Sequence, residues 1–149
     1  MNEKDDLYWL SVCDKIAEKS KCFKRKVGSV IIDEVGRMAS AGYNGHPIKT
    51  NLDHVCLRKD VASGTNNELG MCVHGELNCI LFCNFDSIQK ATLYINFPPC
   101  KICVRYILQM TKIKNLVYYN SGGRDDGIGL LKNMIASDPN RLIIRCYDR

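Results

Sequence analysis

At 149 residues, with 46% hydrophobic and 25% charged side chains, the chain has the size and balance of one compact globular domain spanning residues 1–149, which excludes disordered and fibrous classes. Its longest apolar runs, such as residues 27–32 interrupted by Gly28 and Ser29, fall far short of the roughly 20 residues that cross a bilayer, so no membrane association is expected. A net charge of +5 favours an anionic ligand or nucleic acid, but outside residues 19–26 the basic side chains are scattered and charge alone does not choose.

Residues 1–6 are acidic and polar with no signal-peptide hydrophobic segment behind them, which predicts a cytoplasmic protein, or one of the host cytoplasm if its origin is viral. Trp9, Val12, Cys13 and Ile16 then recur at helical spacing and predict an amphipathic helix over residues 4–20. Residues 27–32 and 37–43 read as strands joined by a tight turn whose Gly36 can take a positive φ, an antiparallel hairpin. Residues 44–71 carry Gly, Pro, Asn and Asp without a sustained period, which predicts a long loop with one short helix near 55–60; loops of that length are usually functional or tied down. Helical spacing returns at Leu77, Ile80 and Leu81, a strand follows at 91–96, and Pro99 opens a helix through Val104, Ile107 and Leu108. A strand at 115–119, a helix at 127–136 and a strand at 141–146 complete the order. That order predicts an α/β fold: a three-layer α/β/α arrangement with a five-stranded mixed sheet, helices on both faces, and parallel pairs after the later crossovers.

The chemistry concentrates at two helix starts. His74-Gly75-Glu76 begins one helix and Pro99-Cys100-Lys101-Ile102-Cys103 the next. A catalytic zinc takes three protein ligands of nitrogen and thiolate type and keeps its fourth position for water, and His74, Cys100 and Cys103 meet that count. The positive end of a helix dipole favours the thiolate forms of a Cys-x-x-Cys pair placed there. Glu76, two residues beyond His74, is positioned to move protons between an activated water, the ring and the leaving ammonia without serving as a ligand. Either motif alone is often structural, but H-x-E followed by P-C-x-x-C is the signature of zinc nucleobase deaminases.

Over nearly its whole length the chain resembles the deoxycytidylate (dCMP) deaminase family. Ser20-Lys21-Cys22 with Lys26-Val27-Gly28-Ser29-Val30-Ile31, Gly42-Tyr43-Asn44-Gly45 with Pro47, His74-Gly75-Glu76-Leu77-Asn78, and Leu93-Tyr94-Ile95 before Pro99-Cys100 carry the likeness. It implies a cytidine-deaminase-like fold, hydrolysis of dCMP to dUMP and ammonia in the supply of dUMP for dTMP synthesis, and a homo-oligomer, often a hexamer. A nucleotide such as dCMP or dCTP could bring Mg2+ with its phosphates. The family usually has Ala where this chain has Gly75; the backbone N–H there contacts the pyrimidine in related enzymes, and the missing methyl could leave room for a 5-modified ring.

Asn44 is the main candidate for gripping sugar or base, because its amide offers both donor and acceptor, although Gly42 to Gly45 also reads as a plain turn. Arg25 and Lys26 could meet a phosphate or be solvated surface charge. Tyr119, at a strand end, could cover the base or pack in the core. Cys22, His54, Cys56 and Cys72 lie in loops or at element ends and number the four ligands of a closed structural zinc site, which some members of the resembled family carry in this region; unconnected thiols are the alternative. Cys13, Cys79, Cys83 and Cys146 occupy apolar positions and are expected as small buried hydrophobes, whereas His46 could face solvent or ligand. Two rival functions remain open: deamination of cytidine, deoxycytidine or a tRNA base, against which the Gly42 to Gly45 motif and the lack of an extended basic tail speak, and an inactive zinc-stabilised interaction module, against which the intact Glu76 speaks.

Overall fold

The computed structural model describes residues 2–50, 56, 58–62, 70–123 and 125–149. The first helix, α1 (Glu3–Ala17), starts where the Asn2 side chain accepts a hydrogen bond from the Asp5 amide at 3.0 Å, with Glu3, Asp5 and Asp6 in the first turn and Lys15 in the last, as the helix dipole favours. It ends earlier than its apolar periodicity suggests. Amides 18, 19 and 20 bond back three residues, to Lys15, Ile16 and Ala17, so the chain tightens and leaves the α-helix.

Strands β1 (Gly28–Ile32) and β2 (Met38–Tyr43) form the expected hairpin, pairing antiparallel. Gly36 takes φ 88 in the turn, and the Asp33 carboxylate accepts the amides of Val35 and Arg37 at 3.0 and 2.8 Å. Then come α2 (Gly75–Leu81), β3 (Ala91–Ile95), α3 (Lys101–Gln109), β4 (Ile113–Tyr119), α4 (Asp126–Met134), a 3-10 turn at Pro139–Arg141 and β5 (Ile143–Tyr147). The helix expected near 55–60 falls partly outside the described residues, since Val55 and Leu57 do; residues 58–60 form a turn.

The sheet runs β2-β1-β3-β4-β5, antiparallel across β1 and parallel from β3 to β5. Central strands β1 and β3 are buried at every position, their apolar residues broken only by the small Gly28, Ser29 and Thr92. On one face α1 packs Leu10 and Cys13 against Val30, Ile32, Tyr94 and Val117. On the other, Cys79 of α2, Val104 and Ile107 of α3 and Ile128 and Leu131 of α4 enclose Ile31, Leu93, Ile95 and Leu116. Each such fully buried aliphatic side chain contributes about 1.5–3 kcal/mol. Among the described residues, no helix is long and apolar enough to cross a membrane.

A buried charge joins α1 to β5. Asp6 is fully buried and accepts from Arg145 Nε at 2.6 Å and Nη2 at 3.0 Å, and from the Tyr94 and Tyr147 hydroxyls at 2.8 Å each. Burial alone would raise the Asp6 carboxyl, but the bonds from Arg145, Tyr147 and Tyr94 together hold it below the usual carboxylate range. Because β5 is an edge strand, Cys146 is exposed rather than buried as its sequence neighbours suggest, and Cys83 is only half-buried; Cys13 and Cys79 are fully buried.

Candidate active site

His74 and Cys100 hold the same local position. Each is the N-cap of its helix, α2 and α3, with extended backbone angles, and the Cys100 sulfur accepts from the Cys103 amide at 3.5 Å. The two helix starts converge, so that His74 Nδ1 lies 3.4 Å from Cys100 Sγ and 3.3 Å from Cys103 Sγ. Among the described residues these form the group whose ligand atoms all lie within 4.8 Å of one another.

The donor set fits zinc. Tetrahedral bonds of about 2.0 Å to nitrogen and about 2.3 Å to sulfur require nitrogen–sulfur separations of about 3.5 Å. The Cys100 thiol is held down to about 4, first by the Cys103 thiol, which donates to it, and also by His74, against the cost of burial. The Cys103 thiol is correspondingly pushed far up, because it donates a hydrogen bond to Cys100 and is buried. His74 is raised, chiefly by its bond to Cys100. Zinc binding to such ligands displaces their protons, so its affinity falls with falling pH. Glu76 is 3% exposed; burial pushes its carboxyl up, while its own backbone amide and His74 pull it down.

His74, Cys100 and Glu76 line a cleft of about 680 Å³, a size that suits a small-molecule ligand. Its rim is cationic, with Lys24, Arg25, Arg58 and Lys101, while Phe97, Pro98 and Ile102 supply apolar wall. The Arg25 guanidinium stacks 3.7 Å from the Phe97 ring centroid. Asn44 braces this wall: its Oδ1 accepts from the Val27 amide and its Nδ2 donates to the Arg25 carbonyl, both at 2.8 Å, and Ser20 Oγ donates to the Asn44 carbonyl at 2.8 Å. One amide hydrogen and one lone pair of Asn44 remain beyond these bonds.

Residues 3–120 match the profile of the family described as the cytidine and deoxycytidylate deaminase zinc-binding region. The chain belongs to this family. Within the deaminase family it is 35% identical over 132 residues to the deoxycytidylate deaminase of Saccharomyces cerevisiae, covering 86% of this chain and 42% of the relative. It is 30% identical over 122 residues to the deoxycytidylate deaminase of Mycobacterium phage D29, covering 76% of this chain and 92% of the relative. The chain therefore spans under half the length of the yeast relative and nearly all of the phage one. The dCMP deaminase of cyanophage S-TIM5, solved in complex with dCMP and dUMP, shares the fold with a TM-score of 0.76 over 99% of both chains at 21% identity.

The structure brings His74, Gly75, Glu76, Cys100, Asn44 and Arg25 to one cleft, with Cys103 directly behind. It does not bring Lys26 or Tyr119 there. Lys26 is exposed between two cleft-lining neighbours, Arg25 and Val27. Tyr119 packs with the cluster under α1, on the opposite face of the sheet, with the Arg149 guanidinium 4.5 Å over its ring. Gly75 does not widen the cleft. A methyl there would meet Val27 O at 2.9 Å and Asn44 N at 3.4 Å, so backbone fills the space. His54 lies outside the described residues. Cys22, Cys56, Cys72 and His46 line a second cleft of about 330 Å³, and the Cys72 thiol is raised by burial and then by Cys22 and Cys56. Sequence reasoning missed Phe97, Arg58, Lys101 and Asp126, which also line the main cleft. Phe97 and Lys101 carried a usable signal in flanking Pro98-Pro99-Cys100; Arg58 and Asp126 carried none.

Proposed function

We propose that residues 1–149 form one catalytic domain that hydrolyses dCMP to dUMP and ammonia. The observation that carries the reading is the convergence of His74, Cys100 and Cys103 beside the buried carboxyl of Glu76, within a cationic-rimmed cleft. His74 Nδ1 and the thiolates of Cys100 and Cys103 would hold zinc, which would supply the Lewis acidity that brings a water's pKa toward neutral. Glu76 takes one proton from the water as its oxygen bonds to C4 and delivers it to the ring nitrogen N3, then moves the remaining hydroxyl proton to the amino group, so that the C4–N bond breaks and ammonia leaves as the C4 carbonyl forms. The spare hydrogen and lone pair of Asn44 meet a sugar hydroxyl, the Gly75 amide meets the pyrimidine, and Arg25 with the rim lysines meets the phosphate. The small cleft with its cationic rim favours a mononucleotide over a nucleic acid or the interaction-module reading.

Turnover measured on dCMP, dCTP, deoxycytidine, 5-modified dCMP and tRNA tests this, with dCMP expected to be the preferred substrate. Glu76→Gln should lower kcat by about 10²–10⁴ while zinc content stays unchanged. A variant as active as the parent overturns the mechanism; a preference for tRNA or deoxycytidine overturns the substrate.

We further propose a second, structural zinc held by Cys22, Cys56, Cys72 and His54, supported by the gathering of the three thiols around one cleft. Two zinc ions per chain by elemental analysis is the expected result, and one in active protein removes the idea. Mg2+ belongs to this reading only as a companion of the nucleotide's phosphates. A homo-oligomer, a hexamer in the resembled family, is supported by exposed Leu81, Phe82, Ile102 and Tyr106 at α2 and α3, and light scattering on the purified chain tests it.

A further inference from the structure

Glycine is the weakest helix former after proline, yet α4 contains Gly127 and Gly129. Their surroundings differ. A Cβ on Gly129 would meet nothing within 4 Å, whereas one on Gly127 would lie 2.0 Å from the Pro99 carbonyl oxygen, 2.7 Å from the Cys100 carbonyl carbon and 2.9 Å from that of Pro99. The positive-φ glycines are Gly36, Gly122 and Gly123, so conformational freedom is not the reason for a glycine at 127. The reason is contact: the bare backbone of α4 rests on the peptide between Pro99 and Cys100.

That peptide leads into a metal-binding position. Cys100 caps α3, and its sulfur stands 3.4 Å from His74 Nδ1. Behind Gly127, α4 is anchored by Ile128 and Leu131, which are 3% and 0% exposed in the same core cluster as Val104 and Ile107 of α3. The helix can neither retreat from Cys100 without opening the core nor carry a side chain at 127 without pushing Cys100 away.

We propose that Gly127 is a positioning residue for the zinc site, holding the Pro99–Cys100 backbone so that the Cys100 sulfur stays at coordination distance from His74 and Cys103. The inference rests on reading His74, Cys100 and Cys103 as zinc ligands.

The test compares Gly127→Ala and Gly129→Ala, the same chemical change two residues apart. Zinc affinity is read on the folded full-length chain by competition with a chromogenic chelator, and the thiolate-to-metal absorption is read after cobalt substitution. The parent and Gly129→Ala should bind zinc equally, with Gly127→Ala weaker by about 10- to 100-fold and its cobalt band shifted, the scale seen when outer-shell support of a metal ligand is lost. Equal affinity and an unchanged band in Gly127→Ala overturn the proposal. So does a Gly127→Ala chain that stays unfolded in saturating zinc, because the contact would then serve folding as a whole. A parent chain that binds no zinc overturns the reading of the ligands instead.

Discussion

Replacing Asp6 with Ala removes the acceptor of four hydrogen bonds, two from Arg145 and one each from Tyr94 and Tyr147. Bonds to a charged group contribute about 1.5–3 kcal/mol each, so simple addition gives roughly 6–12 kcal/mol. That sum is too large, because the four bonds form one network and are not additive. The Arg145 side chain is also 29% exposed, so water can take over part of the guanidinium once its partner is gone. Breaking a buried ion pair from one side costs about 3–5 kcal/mol, and partial rehydration places this case at about 3–4. For a domain of this size that is a fall in Tm of roughly 6–16 °C. Urea and thermal unfolding of Asp6→Ala, Arg145→Ala and the double variant would measure the loss and the coupling between the two residues. The sign with pH follows from the depressed carboxyl: the network's contribution is complete above the unfolded value of about 3.9 and is lost as pH falls through the lower folded value. Asp6→Asn should therefore flatten the acid limb of the stability profile. A loss below about 1 kcal/mol in Asp6→Ala, or an acid limb unchanged in Asp6→Asn, refutes the reasoning.

Asn44→Ala strips the Val27 amide and the Arg25 carbonyl of their partners and should cost about 2 kcal/mol in chemical denaturation, against near zero if water replaces both bonds. Arg25→Ala should raise KM for dCMP by about tenfold or more and leave deoxycytidine kinetics nearly unchanged; an equal effect on both would remove Arg25 from phosphate recognition. A thiol reagent applied to the native chain should modify exposed Cys146 quickly and spare Cys13, whose burial pushes its thiol well up, and mass spectrometry of the digested chain reads the difference.

The cluster of His74, Cys100 and Cys103 beside Glu76 was legible in the sequence because each lies at or near the start of a helix marked by periodicity, and because His-x-Glu and Cys-x-x-Cys have short, fixed spacings. The hairpin was legible from Gly36 and its alternating flanks. What was hidden depends on contacts between distant parts of the chain. The sequence around Asp6 reads as a polar, acidic start, and nothing local reveals that Arg145, 139 residues away, neutralises it inside the protein. Asn44 announces an amide at a turn, not that both ends of that amide are engaged by residues 25 and 27. Gly127 and Gly129 look alike along the helix and differ only in what lies beyond it. Tyr119 stands at a strand end, as a ligand-facing residue would, but alternation along β4 sends it to the face that α1 covers.

The pairing of Asp6 with Arg145 also constrains how the protein is made. α1 leaves the ribosome well before β5, carrying a carboxylate that has no place in an apolar interior by itself. Its guanidinium and one of its two tyrosine partners arrive only with β5. At synthesis rates of about 5–20 residues per second, that delay lasts roughly 7–28 seconds. Through that interval the helix can dock on β1 only with Asp6 solvated or protonated, so final closure of the α1 face awaits β5 and depends on a contact of very long sequence separation.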